Sequence, residues 1–581
     1  MDYKKVPQQI NDVVGDNVKK LAQLFPSAVK DGEVDFEALK EELGLFTEVG
    51  AEKYELTWAG KADAKRIARE DIVGKTLKYI PEDSKDADTT ENLYIEGDNL
   101  EVLKLLRQNY YGAIKMIYID PPYNTGKDFV YNDNFKMTEE EGLISDGAMD
   151  SQGERFIVNS FSQNRFHANW MNMMYPRLQI AKDLLKESGL IFISISDIEI
   201  SNLRILCDEI FGASNFVVDL IWANKEGGGS SDSKLFRIKH EHILCYAKNI
   251  AEVEVIGIPV GNEDRYKSED EYVKERGKYY LQKLGMGSIQ YSQSLDYPIE
   301  VPDGTTVMPA DNNGGKKACW RWSKQKYEWG KANGFIEIKK DGSGQWTVYT
   351  KQYLNCDNEI IMDFFSGSGT TAHSVICSNE EDHKRRKFIL VQFPELLDEN
   401  TDAYQEGFRT ICDLGKERIR SVEERMNISS ACDTGFKVFR VADTNIKWNS
   451  LMNMGQLDVS QIESTPDLMD FMPNTKDIDV VYELMLRQRD VALSESVELL
   501  SDIGKRTYLY ASSFLVCLET EVTAELVEKI ASIDPLPIKF IFRDSAFKDD
   551  IALKDETFRR LKALVEKNSG ESKPTYTVEF I

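Results

Sequence analysis

The sequence predicts an α/β fold, a mostly parallel sheet with helices on both faces. Three observations predict it. Ile114-Lys115-Met116-Ile117-Tyr118-Ile119 is short, nearly all apolar and bounded by turn residues, as a strand buried on both faces is. Leu190-Ile191-Phe192-Ile193-Ser194-Ile195 repeats that texture, and a helical pattern from about Tyr175 to Glu187 lies between the two. The same α/β texture returns at Glu359-Ile360-Ile361-Met362, far along the chain.

Taken in order, the chain divides into five stretches. Residues 1–90 read as a polar, helical extension, with helical spacing in Asp35–Leu43 and a polar loop at Asp83–Asp88. From 91 to 222 come the strand Leu93-Tyr94-Ile95, the turn Gly97-Asp98-Asn99, a helix with Leu100, Leu103 and Leu106 on one face, and the strand ending at Ile119. A long polar loop through about residue 168 follows. The helix to Glu187 stops at Ser188-Gly189 in the manner of a C-cap. After the strand to Ile195, a further helix carries Leu203, Leu206 and Ile210. From 223 to 350 the texture changes, with a glycine-rich break at 227–231, short mixed segments and the cluster Trp320-Arg321-Trp322. Residues 351–430 resume the α/β pattern. The last stretch, 431–581, holds a candidate small βαβ unit in Phe514–Cys517, a helix around Leu526, and Ile538–Phe542.

The 581 residues are too many for one core. No apolar run approaches the ~20 residues of a membrane span, and the polar start is unlike a signal core, so a cytoplasmic location is expected. The eight cysteines form no Cys-x-x-Cys pair, which argues against a zinc ribbon or a disulfide framework. His240 and His242 share one face of a strand without a nearby third ligand, so no metal is expected. The net charge of −26 opposes broad phosphate contact. The charge is uneven, however. Asn313–Lys351 holds Lys316, Lys317, Arg321, Lys324, Lys326, Lys331, Lys339, Lys340 and Lys351 against Glu328, Glu337 and Asp341. Any nucleic-acid contact is expected to be local to that stretch.

Two motifs carry chemistry. The strand ending at Ile119 runs into Asp120-Pro121-Pro122-Tyr123. Two prolines cannot continue a ladder, so a carboxylate, a carbonyl and an aromatic ring are left at the carboxyl end of the sheet, where ligands of such sheets bind. The exocyclic amino group of a base is a poor nucleophile because its lone pair is delocalised. Asp120 and the Pro121 carbonyl could each accept one of its hydrogens and free the lone pair, while Tyr123 stacks on the base. The second motif is Asp363-Phe364-Phe365-Ser366-Gly367-Ser368-Gly369-Thr370-Thr371-Ala372, with Gly-x-Gly-x-x-Ala spacing between a strand and a helix. Its glycines permit a tight turn against a cofactor. The next strand, Phe388–Val391, ends near Gln392 and Glu395, where an acid can accept from ribose hydroxyls. Alone, the glycine turn suits a dehydrogenase almost as well. A dehydrogenase has no use for Asp-Pro-Pro-Tyr, whereas methyl transfer from S-adenosylmethionine to a base amino group needs both parts.

The chain resembles the modification subunit of type III restriction–modification systems, a β-class amino methyltransferase of DNA. The likeness spans Tyr54–Lys61, Asn92–Leu100, Asp120–Gly126, Phe129–Asp133, Trp170–Leu178, the glycine motif to His373, Arg386–Glu395 and Gly415–Arg420. It implies a Rossmann-like S-adenosylmethionine-dependent methyltransferase fold with an inserted target-recognition region and a small C-terminal α/β domain. It implies N6-adenine methylation of double-stranded DNA, a homodimer, and a helicase–nuclease restriction subunit as partner. By the same resemblance Asp120 and Pro121 grip the amino group and Tyr123 stacks, with Pro122 completing the turn. Asp363, Phe365, Gly367, Gly369, Thr370, Glu395 and Asp98 belong to the cofactor side. Lys316, Lys317, Arg321, Lys324 and Lys326 are the candidate DNA contacts, and residues 431–581 would serve dimer or partner contacts. The family usually carries a Pro-Lys-Pro segment before the glycine strand. Here none occurs, and Val348–Leu354 runs almost directly into Glu359–Met362. That departure keeps open a DNA-binding subunit without catalysis. Cytosine-N4 transfer also stays open, because both reactions use the same clamp.

Overall fold

A computed structural model describes residues 56–125, 129–131, 156–158, 166–223, 239–253, 267–272, 279–286, 295–353, 359–448 and 466–581, apart from 323, 342–343, 383, 427, 429–431, 534, 549 and 569–575, and short pieces before residue 40. Most of the long loop expected before residue 168, the glycine break at 227–231, residues 354–358 and most of the helix expected at Asp35–Leu43 fall outside these residues; within that loop Phe129–Tyr131 and Phe156–Val158 pair as two antiparallel strands. The chain forms two compact units: 1–254 with 359–377 and 386–581, and 255–358 with 378–385.

The first unit is built on a nine-stranded sheet. Its strands are β1 (Lys75–Tyr79), β2 (Leu93–Glu96), β3 (Ile114–Ile119), β4 (Leu185–Ile195), β5 (Phe216–Ala223), β6 (His240–Ala247), β7 (Ile360–Asp363), β8 (Lys387–Gln392) and β9 (Lys437–Asp443). They lie in the order β5-β6-β4-β3-β7-β8-β2-β9-β1. The six from β4 to β9 run parallel, while β6 and β1 join the edges antiparallel. Alternation feeds two cores. Leu93, Ile95, Ile389 and Val391 pack on one face with α2 (Asn99–Leu106) and α3 (Phe166–Leu184). Tyr94, Phe388 and Leu390 pack on the other with α5 (Thr370–Asp382) and α6 (Ile411–Met426). Helices on both faces are what a parallel sheet requires, since every strand must be covered twice. The glycine strand β7 is threaded between β3 and β8, so the chain leaves β3 and β7 toward opposite faces. That point is where ligands bind in open sheets.

Three expectations need correction. The helix before β4 begins at Phe166, not near Tyr175, and runs through Pro176. Burial of Trp170, Met171, Met173 and Met174 outweighs the ~3 kcal/mol that an interior proline costs. It ends at Leu184, and Ser188-Gly189 lie inside an eleven-residue strand and cap nothing. The register jumps there from Ile114–Leu185 to Met116–Leu190, and a Cβ on Gly189 would sit 2.9 Å from the Lys186 carbonyl and 3.1 Å from that of Ile114. Finally, the lead-in is not wholly helical. After α1 (Lys61–Arg69), β1 completes the sheet, with Leu77 buried.

The C-terminal part of this unit contains α7 (Asp477–Met485) and five strands of a second sheet, β10 (Val497–Leu499), β11 (Thr507–Tyr510), β12 (Phe514–Cys517), β13 (Lys539–Phe542) and β14 (Thr577–Phe580), whose sixth strand is Lys4–Lys5, parallel to β14. The expected βαβ unit is there, with β12 and β13 parallel on either side of α8 (Ala524–Ile530).

The second unit centres on three antiparallel strands, Tyr279–Lys283, Trp346–Tyr353 and Ile336–Lys340. Trp320 and Trp322, from the aromatic and basic cluster, are core residues beside Leu284, Tyr327 and Val348. Apolar burial outweighs their basic neighbours.

Candidate active site

Asp120 follows β3 directly, and Asp363 ends β7, the neighbouring strand. The two motifs therefore emerge side by side on one sheet edge. Pairing of Ile117 with Met362 and of Asp363 with Leu390 sets that alignment.

The glycine turn organises itself. Asp363 is buried; one carboxylate oxygen accepts from Phe365 N at 3.0 Å and the other from Thr371 Oγ1 at 2.6 Å. Burial pushes its pKa up to about 7, against the pull of those two bonds, and Asp120 adds to the rise. Gly367 N donates to Gln392 Oε1 at 2.7 Å, and Ser366 N to the Val391 carbonyl at 3.2 Å, so β8 fixes the turn from the side. Gly367 and Gly369 have φ of 51° and 77°, the left-handed region glycine enters freely. A Cβ on Gly369 would lie 3.2 Å from the Gly415 carbonyl, so α6 packs against the turn, whereas a Cβ on Gly367 would meet open space. Thr370 is exposed at the start of α5, and its hydroxyl accepts from Arg418 Nη1 at 2.7 Å. Phe365 is half-buried, and Glu395 lies exposed just beyond β8.

The other turn is Asp120-Pro121-Pro122-Tyr123. Asp120 is exposed at the strand end. The protein around it raises its carboxyl pKa above the ordinary range, the Tyr123 hydroxyl pulls it down, and Glu241 pushes it up. Tyr123 reaches Glu241 Oε2 at 3.4 Å, and its own hydroxyl is held well above the usual range by burial and then by Asp120. Tyr118 on β3 also faces this group and bonds Ser194 Oγ at 2.8 Å.

Asp98 caps α2, with one oxygen accepting from Leu100 N at 2.9 Å and Glu101 N at 3.1 Å and the other 3.5 Å from Arg177 Nη2. Asn99 carries the link onward. It accepts from Arg177 Nε at 2.5 Å and donates to the Phe364 carbonyl at 2.9 Å, joining α2 and α3 to the glycine turn. Arg177 is wholly buried.

The residues fit an adenosyl cofactor. The turn is open at Gly367, a carboxylate stands past the next strand, and the buried Ser366 Oγ has no partner among the described residues. A bound polar ligand would satisfy that hydroxyl.

In the second unit, Lys316, Lys317 and Lys324 are exposed. Arg321 is half-buried, with one guanidinium nitrogen covered and unpartnered among the described residues. The side chain of Lys326 lies outside the described residues. Lys339 pairs with Glu337 at 2.9 Å and Lys351 with Asp270 at 2.5 Å, so those two cations are partly neutralised. His242 Nδ1 lies 3.0 Å from Asp219 Oδ2, and no metal-binding cluster occurs among the described residues.

Sequence reading missed Glu241, Asn99, Arg177 and Ser366. Ser366 stands inside the motif and could have been found. Alternation along β6 sets Glu241 on the face opposite His240 and His242. Nothing in the sequence says that this strand lands two places from β3.

A mostly parallel sheet, helices on both faces, a glycine turn and an Asp-Pro-Pro-Tyr turn on neighbouring strand ends define a Rossmann-like methyltransferase. A family described as DNA methylase matches residues 114–342. The chain is 31% identical to the EcoPI Mod subunit of Escherichia phage P1, a type III restriction-modification enzyme, over 74% of this chain and 78% of the relative. It is 30% identical to the EcoP15I Mod subunit of Escherichia coli over 96% and 97%, and 32% identical to the StyLTI Mod subunit of Salmonella typhimurium over 67% and 66%. The chain belongs to the family of type III restriction-modification Mod subunits. The match to the E. coli relative extends over 655 positions against 581 residues here, so parts of that relative have no counterpart in this chain. No helix among the described residues is long and apolar enough to cross a membrane.

Proposed function

We propose that this Mod subunit methylates the N6 amino group of adenine in double-stranded DNA with S-adenosylmethionine, through a clamp made by Asp120 and the Pro121 carbonyl. The observation that carries the reading is the adjacency of β3 and β7, which brings an amino-group clamp beside a cofactor turn. The cofactor supplies an electrophilic methyl group. Asp120 and the Pro121 carbonyl take the two amino hydrogens and aim the lone pair at it. Tyr123 leaves Asp120 and Glu241 to stack on the base, with Pro122 shaping the turn. Phe365, Gly367, Gly369 and Thr370 wall the cofactor site, Glu395 approaches the ribose, and Asp363 and Asp98 hold the turn and the neighbouring helix in place.

Residues 223–350 read DNA in this proposal, with Lys316, Lys317, Arg321, Lys324 and Lys326 toward phosphates. Two copies pair, the 431–581 region serves them or a helicase–nuclease subunit, and the protein works in the cytoplasm. Replacing Lys316, Lys317, Lys324 and Lys326 together weakens DNA binding and flattens its salt dependence, measured by titration across salt concentrations. An unaltered slope would place the contacts elsewhere.

The deciding experiment is transfer of labelled methyl from S-adenosylmethionine to mixed-sequence DNA, with nucleosides identified after digestion. Label in N6-methyladenine is expected, and label in N4-methylcytosine would redirect the reading. The absent Pro-Lys-Pro segment favours one alternative, a DNA-binding subunit without catalysis. Folded protein that binds DNA but transfers no label would select it.

A further inference from the structure

The turn that carries Asp120 is held from outside. Pro121 and Pro122 have no N–H to give. Trp170 Nε1 donates to the Pro122 carbonyl at 2.7 Å, and Ser196 Oγ to the Tyr123 carbonyl at 3.4 Å. The following residue, Asn124, is fully buried with φ of 58°. Its Nδ2 donates to Glu199 Oε1 at 2.5 Å and reaches the Phe166 carbonyl at 3.5 Å.

Glu199 is itself wholly buried, one residue before α4 (Ile200–Cys207). Its Oε1 also meets His167 Nδ1 at 2.5 Å, and its Oε2 accepts from Asn202 Nδ2 at 2.8 Å. One carboxylate thus gathers the turn after β3, the first turn of α3 and the first turn of α4. A buried carboxylate is costly without hydrogen bonds, so each of these partners is compelled to stay. Asn124 is fixed at both ends, by its left-handed backbone and by this oxygen. It directly follows the aromatic ring that must stack.

We propose that Glu199 is a positioning residue for the methyl-transfer clamp, holding the Asp120–Tyr123 turn at the strand end through Asn124 and tying it to α3 through His167. The inference rests on the reading of Asp120 and Pro121 as the clamp. Glu199 touches neither turn proline and acts through Asn124.

The test compares wild type, Glu199→Ala, Asn124→Gly and the double variant in labelled methyl transfer, with thermal unfolding alongside. Gly keeps the left-handed backbone at no steric cost and removes only the side-chain tie. Each single variant should lose about 10- to 100-fold in kcat, the scale of a misplaced reacting group, with KM for DNA and for S-adenosylmethionine nearly unchanged. The double variant should lose no more than the worse single one, because both break one link. Wild-type turnover in Asn124→Gly, multiplied losses in the double variant, or a change confined to KM would overturn the proposal. Should Glu199→Ala fail to fold, Asn124→Gly decides alone through its kcat. A wild-type protein that transfers no methyl removes the clamp reading itself, an outcome separate from active wild type with indifferent variants.

Discussion

The two turns at the carboxyl ends of β3 and β7 are neighbours with opposite means of support. The glycine turn is closed by its own residues and by the adjoining strand: Asp363 binds Phe365 N and Thr371, and Gln392 binds Gly367. The Asp-Pro-Pro-Tyr turn is held by side chains up to 75 positions away, from Trp170 to Glu199. Within this turn the Tyr123 hydroxyl bonds the Asp120 carboxylate, but the turn's carbonyls are fastened by side chains of other elements. The glycine turn is braced by its own side chains and leaves open space at Gly367.

The largest effect should come from removing the reactive group. Asp120→Ala is expected to lower methyl transfer by roughly 10²- to 10⁴-fold while leaving DNA binding and thermal stability nearly intact. Unchanged turnover in the label assay would deny that this turn holds the reactive group at all.

In the glycine turn the same kind of change should act through structure. Gly369→Ala forces a Cβ to within 3.2 Å of the Gly415 carbonyl at φ of 77°. It should destabilise the protein by more than the ~1–2 kcal/mol of the left-handed penalty. Gly367→Ala, at φ of 51° with open space, should cost only that penalty. Urea unfolding of both ranks them, and equal losses would mean that α6 yields.

Asp363 sharpens the contrast through pH. Its folded pKa of about 7 lies above the ordinary carboxylate value, so the folded state binds the proton more tightly than the unfolded one. The stability it contributes is full below pH 4 and is withdrawn as pH rises toward 7. An Asp363→Asn variant should therefore gain on wild type across that window, by an amount on the order of a few kcal/mol, and run parallel to it above. A constant difference in melting temperature would refute the buried-carboxyl account.

The smallest expected change is at Glu241. Its charge raises the Asp120 pKa, and Asp363, Tyr118 and Tyr123 face the same group. Glu241→Gln should move the acid limb of the kcat profile toward lower pH, since Asp120 then stays ionised further into acid. A limb that stays in place would separate Glu241 from the clamp.

Local chemistry made half of this site legible. The glycine spacing, the prolines that must end a strand and the alternation of Leu93, Tyr94 and Ile95 are short-range facts, and a sequence is short-range information. The helix through Pro176 and the strand through Gly189 were misread for the same reason. In each case a local stop signal lost to burial of Trp170 or to pairing with β3, contacts that pattern alone does not display. The burial of Trp320 and Trp322 likewise depends on contacts with Leu284, Tyr327 and Val348 that local pattern does not display.

The sequence by itself determined the parallel α/β sheet, the two chemical turns, and the resemblance that names the reaction, because each rests on spacing within a dozen residues or on long matched strings. Only the tertiary structure decided that β7 lies against β3, that Glu241 arrives from β6 to face Asp120, and that Asn124, His167 and Asn202 share one buried carboxylate. Apart from Asn202, which stands three positions from Glu199, those pairings join residues tens to hundreds of positions apart. They depend on how layers of helices bury both faces of one sheet, which no local pattern encodes.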